Sequence, residues 1–258
     1  MKVGIIGMGY VGGAIASSLP SELTVCYDPF IRQYDSSFEE VKNCDAVVIC
    51  VPTPVRYDGS CNTSTIHTTL DKLNEGTEFK GVIISKSTAT PDFYKSMQAR
   101  YNNLVHVPEF LRASSANEDY ANSTFAIYGG DPKWTAIAEQ VLTQGTYSPT
   151  KSLHTNIETA SLYKYLANTF LASKVIWMNE FKTLADSIGV DWKAVQLCCG
   201  LDSRIGIGHT EVPGPDGKFG YGGACFPKDI SAIMSLAKAR NVELSVLEQV
   251  VVKNDKIR

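Results

Sequence analysis

The chain has 258 residues, 44% of them hydrophobic and 20% charged, enough to bury a sizeable core in one large domain or two modest ones. A formal net charge of −3 excludes a global field that would recruit nucleic acid or a membrane surface. No apolar run approaches the roughly 20 residues that span a bilayer, and the glycine-studded start lacks a small-residue cleavage pattern, so no signal peptide is expected. The seven cysteines are odd in number and none has metal-ligand spacing. They predict a reducing, cytoplasmic setting, no metal, and small core hydrophobes rather than disulfides.

Taken in order, short apolar runs alternate with helical patterns. Residues 2–7, 23–28, 45–51, 81–87, 103–108 and 124–130 read as strands. Near-continuous apolar runs of this kind suit parallel strands covered on both faces. Helices are expected over 10–19, 36–43, 63–76, 91–101, 114–121 and 132–143. The alternation predicts an α/β domain over residues 1–150, a Rossmann-type doubly wound parallel sheet. The pattern then changes. Residues 156–189 form one long helical stretch closed by Gly189, and a shorter helix is expected over 191–199. Residues 200–224 are glycine-rich and read as a loop. Pro227 opens another helix, and a last one begins near 244. Residues 151–258 are therefore expected to be an all-helical central region.

Residues 7–12 read GMGYVG between the first strand and the first helix. Gly7, Gly9 and Gly12 allow a tight turn and close approach to a pyrophosphate, while Tyr10 and Val11 open the helix whose N–H groups would face it. Asp28 ends the second strand sixteen residues later, placed to hydrogen-bond a ribose 2′-OH and favour NAD. Arg32 keeps NADP open, because an arginine there can hold a 2′-phosphate. The plainer reading is a glycine turn with a surface aspartate. Ligands in such sheets bind beyond the carboxyl ends of strands, which adds Thr53, Pro54, Ser87, Thr88 and Glu109. Each also has an ordinary reading as a turn or cap residue.

Residues 220–229 read GYGGACFPKD. Cys225 is core filler, half of a disulfide, or a nucleophile. Pro227 suits the first position of a helix, which sets Cys225 just before a helix N-terminus. Unpaired N–H groups and the positive helix end stabilise a thiolate there. Asp229 falls in the first turn, where an acid also simply complements the dipole. Lys164 and Asn168 are four apart and share one helix face. They are either two donors for one oxyanion or a solvated polar stripe.

GMGYVG, VPTP, KSTATP, PEFLR, YKYLANTFLASKVIWMNE, GLDSRIG and FGYGGACFPKD occur in that order. Over nearly its whole length the chain resembles the UDP-glucose/GDP-mannose dehydrogenase family. The resemblance implies two-step, NAD-dependent oxidation of the C6 alcohol of UDP-glucose or a related nucleotide sugar to the uronic acid. Cys225 would form a thiohemiacetal and then a thioester. Lys164 and Asn168 would hold the C6 oxygen, Asp229 would assist proton transfer, and Glu109 and Thr88 would position the hydrolytic water. Phe110, Leu111 and Arg112 would line the substrate, and the loop of Phe219, Gly220, Tyr221, Gly222 and Gly223 would wrap it. Arg204 would reach the substrate of a neighbouring subunit. A homodimer through the central helix is implied, with Val246, Leu247, Val250, Val251 and Ile257 as a packing seam.

The chemistry asks for such a cysteine, because thiolate attack on an aldehyde restores a carbon that still carries a hydride. Two departures stand out. Ala113 and Ser114 follow PEFLR where relatives carry Glu-Gly. The family's second Rossmann-like domain, which helps bind the nucleotide, has no counterpart in these residues, so UDP binding is expected to be weak, altered, or completed by a longer partner chain. Two rival readings remain: a two-electron β-hydroxyacid-type dehydrogenase with Cys225 idle, and a non-catalytic NAD-binding subunit.

Overall fold

The structure, a computed structural model, describes residues 1–34 and 36–258. Its elements are β1 (Val3–Ile6), α1 (Tyr10–Ser18), β2 (Thr24–Tyr27), α2 (Phe38–Lys42), β3 (Ala46–Ile49), α3 (Ser64–Leu73), β4 (Val82–Ser85), α4 (Pro91–Arg100), β5 (Leu104–His106), α5 (Ala116–Ala121), β6 (Phe125–Gly129), α6 (Pro132–Leu142), β7 (Lys151–Thr155), α7 (Ile157–Ser187), α8 (Trp192–Leu201), α9 (Phe226–Ala239) and α10 (Ser245–Ile257). They divide into two compact units, 1–56 with 61–164 and 57–60 with 165–258.

In the first unit seven strands form one sheet in the order β2-β1-β3-β4-β5-β6-β7. The first five strands are mutually parallel. The β6 strand then runs antiparallel to β5, through the single pair His106 and Gly129, and β7 is parallel to β6. Every residue of β1, β3 and β4 is buried, because helices cover both faces. On one face Val3, Ile5 and Val48 pack with Ile15 of α1, Tyr120 of α5 and Val141 of α6. On the other, Ile6, Val47 and Ile83 pack with Val41 of α2, Leu70 of α3 and Tyr94 of α4. This is the expected doubly wound arrangement. The departure is β7: residues 151–155, placed in the helical half by the sequence pattern, extend the sheet, and the first unit runs on to Lys164.

In the second unit two apolar clusters hold the helices. Met178 and Ala185 of α7 pack with Trp192 and Cys199 of α8 and with Val212. Ala172 and Ile176 of α7 pack with Tyr221 and Ile230, and Leu247, Val250, Val251 and Ile257 of α10 close over them. Four of the five residues expected as an intermolecular seam are thus used inside this unit, while Val246 is exposed. The exposed apolar stripe lies on α7 instead: Leu162, Leu166, Phe170, Trp177, Phe181 and Leu184, at helical spacing.

Candidate active site

The glycine turn is shaped by close contact. Gly7 has a left-handed φ of 90°, and a Cβ there would sit 2.7 Å from the Cys50 carbonyl oxygen. At Gly12 a Cβ would sit 2.0 Å from the Gly7 carbonyl oxygen. At Gly9 a Cβ would meet nothing within 4 Å. Two glycines close the turn and the third leaves open space, which is the cradle a pyrophosphate needs. Gly9 is also the N-cap of α1 and places no side chain over the first-turn N–H groups. Asp28 Oδ2 accepts from the Met8 N–H at 2.8 Å, and Oδ1 from the Phe30 N–H at 2.9 Å. The acid expected to meet the ribose therefore also ties the end of β2 to the glycine turn. Tyr10 and Arg32 are exposed and Val11 is half-buried.

Beyond the other strands, Thr53 is buried and Pro54 exposed. The Ser87 hydroxyl donates to the Val51 carbonyl at 2.7 Å, so this side chain is spent on joining the ends of β3 and β4. Thr88 is half-buried. Glu109 Oε2 accepts from the Leu111 N–H at 2.6 Å, and Oε1 lies 3.6 Å from Lys164 Nζ. Lys164 also donates to the Glu109 main-chain carbonyl and sits 5.0 Å over the Phe110 ring. Both partners of this ion pair are largely buried, with side chains 5% and 12% exposed. The stripe reading of Lys164 fails on that burial. Arg112 is directed elsewhere. Its guanidinium forms an exposed two-point ion pair with Asp119, at 2.6 and 3.0 Å, and this pair holds the Asp119 carboxyl down to about 2.

One buried cation at these strand ends escaped the sequence reading. Lys86 is 3% exposed, and burial lowers its amine to about 8 while the Glu109 carboxylate pulls the other way. Its signal was its position: a residue at the end of a strand buried on both faces cannot easily reach water.

In the second unit α9 begins at Phe226, one residue earlier than expected, with Pro227 in its first turn and Cys225 as the N-cap. Cys225 is exposed, and no disulfide joins any of the cysteines among the described residues. Its carbonyl accepts the Asp229 N–H at 2.9 Å. Asp229 is only 1% exposed. Its Oδ2 accepts from Asn168 Nδ2 at 2.5 Å and its Oδ1 from Lys228 Nζ at 2.5 Å. The two residues singled out on α7 and α9 therefore meet, and Asp229 is a buried, charge-assisted centre rather than a surface complement to the dipole. Asn168 keeps a second amide N–H.

The glycine loop before Cys225 is held from behind. Gly220 N–H donates to Asn179 Oδ1 at 3.0 Å, and Tyr221 N–H to Asn254 Oδ1 at 2.8 Å. Gly220 has φ 72°, and a Cβ there would lie 2.5 Å from Asn254 Oδ1. Arg258 Nη1 donates to the carbonyls of Phe219 and Gly220 at 3.3 and 3.4 Å. Asn179, Asn254 and Arg258 were given no role by the sequence, because the loop groups they hold lie far from them along the chain. Phe219 and Gly223 are exposed, and Gly222 is half-buried. Arg204 is exposed and paired with Asp202 of its own turn, at 2.7 and 2.9 Å. Among the described residues no group of His, Cys, Asp and Glu side chains could hold a metal ion, and no helix is long and apolar enough to cross a membrane.

A mostly parallel sheet with a glycine-lined turn into a helix N-terminus defines the first unit as a Rossmann-type dinucleotide-binding domain. The chain belongs to the UDP-glucose/GDP-mannose dehydrogenase family: residues 31–146 match its NAD binding domain and residues 158–256 its central domain. A UDP-glucose 6-dehydrogenase of Rickettsia bellii is 34% identical over 223 residues, covering 84% of this chain and 50% of the relative. The chain thus spans about half the length of the curated relatives it matches. A UDP-glucose dehydrogenase from the archaeon Pyrobaculum islandicum superposes with a TM-score of 0.81 at 25% identity, over 99% of this chain and 68% of that one. A 3-hydroxyisobutyrate dehydrogenase of Mycobacterium tuberculosis shares the fold, with a TM-score of 0.76 at 17% identity over 96% and 90% of the two chains.

Proposed function

We propose that the chain works as an NAD-dependent nucleotide-sugar dehydrogenase, oxidising the C6 alcohol of UDP-glucose or a close relative to the uronic acid. The observation that carries this reading is Cys225. It is exposed at the N-cap of α9, in a family whose central domain these residues match. NAD+, bound on the glycine turn, supplies the hydride acceptor. The residues of the chain do the rest. The C6 alcohol loses a hydride and a proton to become the aldehyde. The Cys225 thiolate, favoured by the helix end, adds to that aldehyde to give a thiohemiacetal. Loss of a second hydride and proton leaves a thioester, and water releases the acid and the thiol. Four electrons leave the sugar and one water enters.

Lys164 and Asn168, one turn apart on α7, are the donors proposed for the C6 oxyanion. Asp229 is the proposed proton partner. Glu109, with Thr88, is proposed to orient the hydrolytic water. Arg204 is proposed to reach a neighbouring subunit's substrate, in a homodimer for which the apolar stripe of α7 offers the surface. The cytoplasm is the proposed location.

The decisive experiment counts NADH. Protein, NAD+ and UDP-glucose should yield two NADH for each sugar consumed. One NADH per sugar would favour the two-electron reading, which the fold shared with 3-hydroxyisobutyrate dehydrogenase accommodates. No NADH across a panel of UDP- and GDP-sugars would sink both and leave an NAD-binding subunit, a case that calorimetry with NAD+ would then identify.

A further inference from the structure

Ser87, Thr88 and Ala89 lie past the end of β4, so their carbonyls have left the sheet ladder. Each accepts from a side chain instead: Ser87 from the Tyr94 phenol at 2.5 Å, Thr88 from the Cys61 thiol at 3.6 Å, and Ala89 from the Ser161 hydroxyl at 2.6 Å. Among the described residues none of the three accepts from a main-chain N–H. The turn and all three donors belong to the first unit. Tyr94 is the most constrained of the donors. It is fully buried, its ring stacks on His106 at 4.1 Å, and its oxygen lies 2.7 Å from Ser85 Oγ. A phenol has one proton to donate. Donation to Ser87 leaves the phenol oxygen to accept from the Ser85 hydroxyl. Burial pushes the phenol up, so the proton stays in place.

The sheet order decides what lies beyond this turn. The chain steps from β1 outward to β2, then back past β1 to β3 and β4. Dinucleotides lie across such a reversal, beyond the carboxyl ends of the strands. With the adenosine half at Asp28 and the diphosphate on the glycine turn, the nicotinamide half would reach the ends of β3 and β4, where Ser87 and Thr88 stand. We propose that Tyr94 is a positioning residue for NAD: by holding the Ser87 carbonyl it fixes this turn in the shape that the nicotinamide half meets. The inference rests on the dinucleotide site of the proposed function and not on its sugar chemistry. A turn fixed before the ligand arrives has less freedom left to lose on binding. Without the phenol proton the Ser87 carbonyl lacks its partner, and the ligand itself must order the turn.

Calorimetry with NAD+ and with ADP, which carries the adenosine and diphosphate but no nicotinamide half, tests this. Tyr94→Phe keeps the ring and removes the hydroxyl. Its Kd for NAD+ should rise about 10-fold, while its Kd for ADP stays within about 2-fold. Ser85→Ala removes the other hydrogen bond of the same phenol and leaves the one to Ser87. It should lose comparable stability in urea yet keep both dissociation constants. An unchanged Kd for NAD+ in Tyr94→Phe, NAD+ and ADP weakened alike, or NAD+ weakened as much in Ser85→Ala would each overturn the assignment. If Tyr94→Phe does not fold, Ser161→Ala, which removes the donor to the Ala89 carbonyl of the same turn, must show the same split between NAD+ and ADP, or the assignment falls. An unaltered protein that binds no NAD+ overturns the dinucleotide site itself. The other outcomes strike Tyr94 and its turn alone.

Discussion

Two helix starts carry the proposed chemistry, and they are built differently. At α1 the site is written in backbone: Gly7 and Gly12 press against other main-chain atoms, and Gly9 faces open space. At α9 it is written in side chains: Cys225 sits at the N-cap while Asp229 is held by Asn168 and Lys228. Both exploit the unpaired N–H groups and positive end of a helix. In the proposed function one start receives a diphosphate and the other holds a thiolate. A backbone site is damaged by adding any atom, whereas a side-chain site is damaged by exchanging one.

The largest expected effect separates the two. Cys225→Ser replaces the nucleophile with a far weaker one and should lower uronic acid formation by roughly 10³-fold or more. NAD+ binding, measured by calorimetry, should be untouched. A serine variant that still makes two NADH per sugar would exclude the covalent route.

Gly12→Ala attacks the other start. The added methyl would fall 2.0 Å from a carbonyl oxygen on a turn that cannot yield cheaply. A loss of about 1–3 kcal/mol in stability is expected from overpacking, along with at least a ~10-fold rise in the NAD+ dissociation constant, about 1.4 kcal/mol. Alkylation of Cys225 by iodoacetamide should continue at its normal rate. Wild-type affinity for NAD+ in this variant would mean that the turn does not hold the dinucleotide.

What could be read from the sequence follows the same division. The glycine spacing, the buried strands and the cysteine before Pro227 are local patterns, and each emerged where expected. The β7 strand did not, because KSLHT is a polar edge strand whose identity comes from pairing with β6. Its residues carry no apolar alternation to announce it. Lys86 was missed because a lysine normally argues for the surface, and only the sheet order shows that this side chain is buried. Asn179 and Asn254 were missed because their value lies in two N–H groups of a loop more than thirty residues away in sequence. The Asn168–Asp229 contact likewise joins residues 61 apart.

A third expectation concerns the strand ends beneath the first site. His106 is fully buried, its Nδ1 is 2.9 Å from the Ser85 carbonyl, its Nε2 has no partner, and its ring stacks on Tyr94 at 4.1 Å. Burial pushes the ring down to about 3. The unfolded chain takes up this proton near 6.5. The stability that His106 protects is therefore complete above about pH 6.5 and drains away as pH falls from there toward about 3, by an amount on the order of a few kcal/mol. Urea midpoints between pH 7.5 and 5 should fall less steeply in His106→Gln than in the unaltered protein. Parallel slopes would show that the buried ring is not what senses the acid.

The smallest expected effect is at Arg112, where sequence and structure disagree most about role. The resemblance makes it a substrate residue, yet its guanidinium is 72% exposed and locked to Asp119 in a two-point pair. The Arg112 end of the pair lies in water although the Asp119 side chain is only 15% exposed, so solvation and salt screening at that end keep the net contribution small. Arg112→Ala should therefore leave the melting temperature almost unchanged at neutral pH. Asp119, left with the residue-112 N–H and the Ser115 hydroxyl, should titrate higher than about 2. The stability carried by its depressed value is present above the ordinary carboxylate range and lost as pH falls through about 2, so any difference between variant and parent should close below that pH. The kinetic half of the test is sharper. If the pair with Asp119 is the whole role of Arg112, KM for UDP-glucose stays the same in Arg112→Ala. If Arg112 leaves Asp119 to bind substrate, KM rises while kcat holds, and the ion pair is a resting place for a substrate residue.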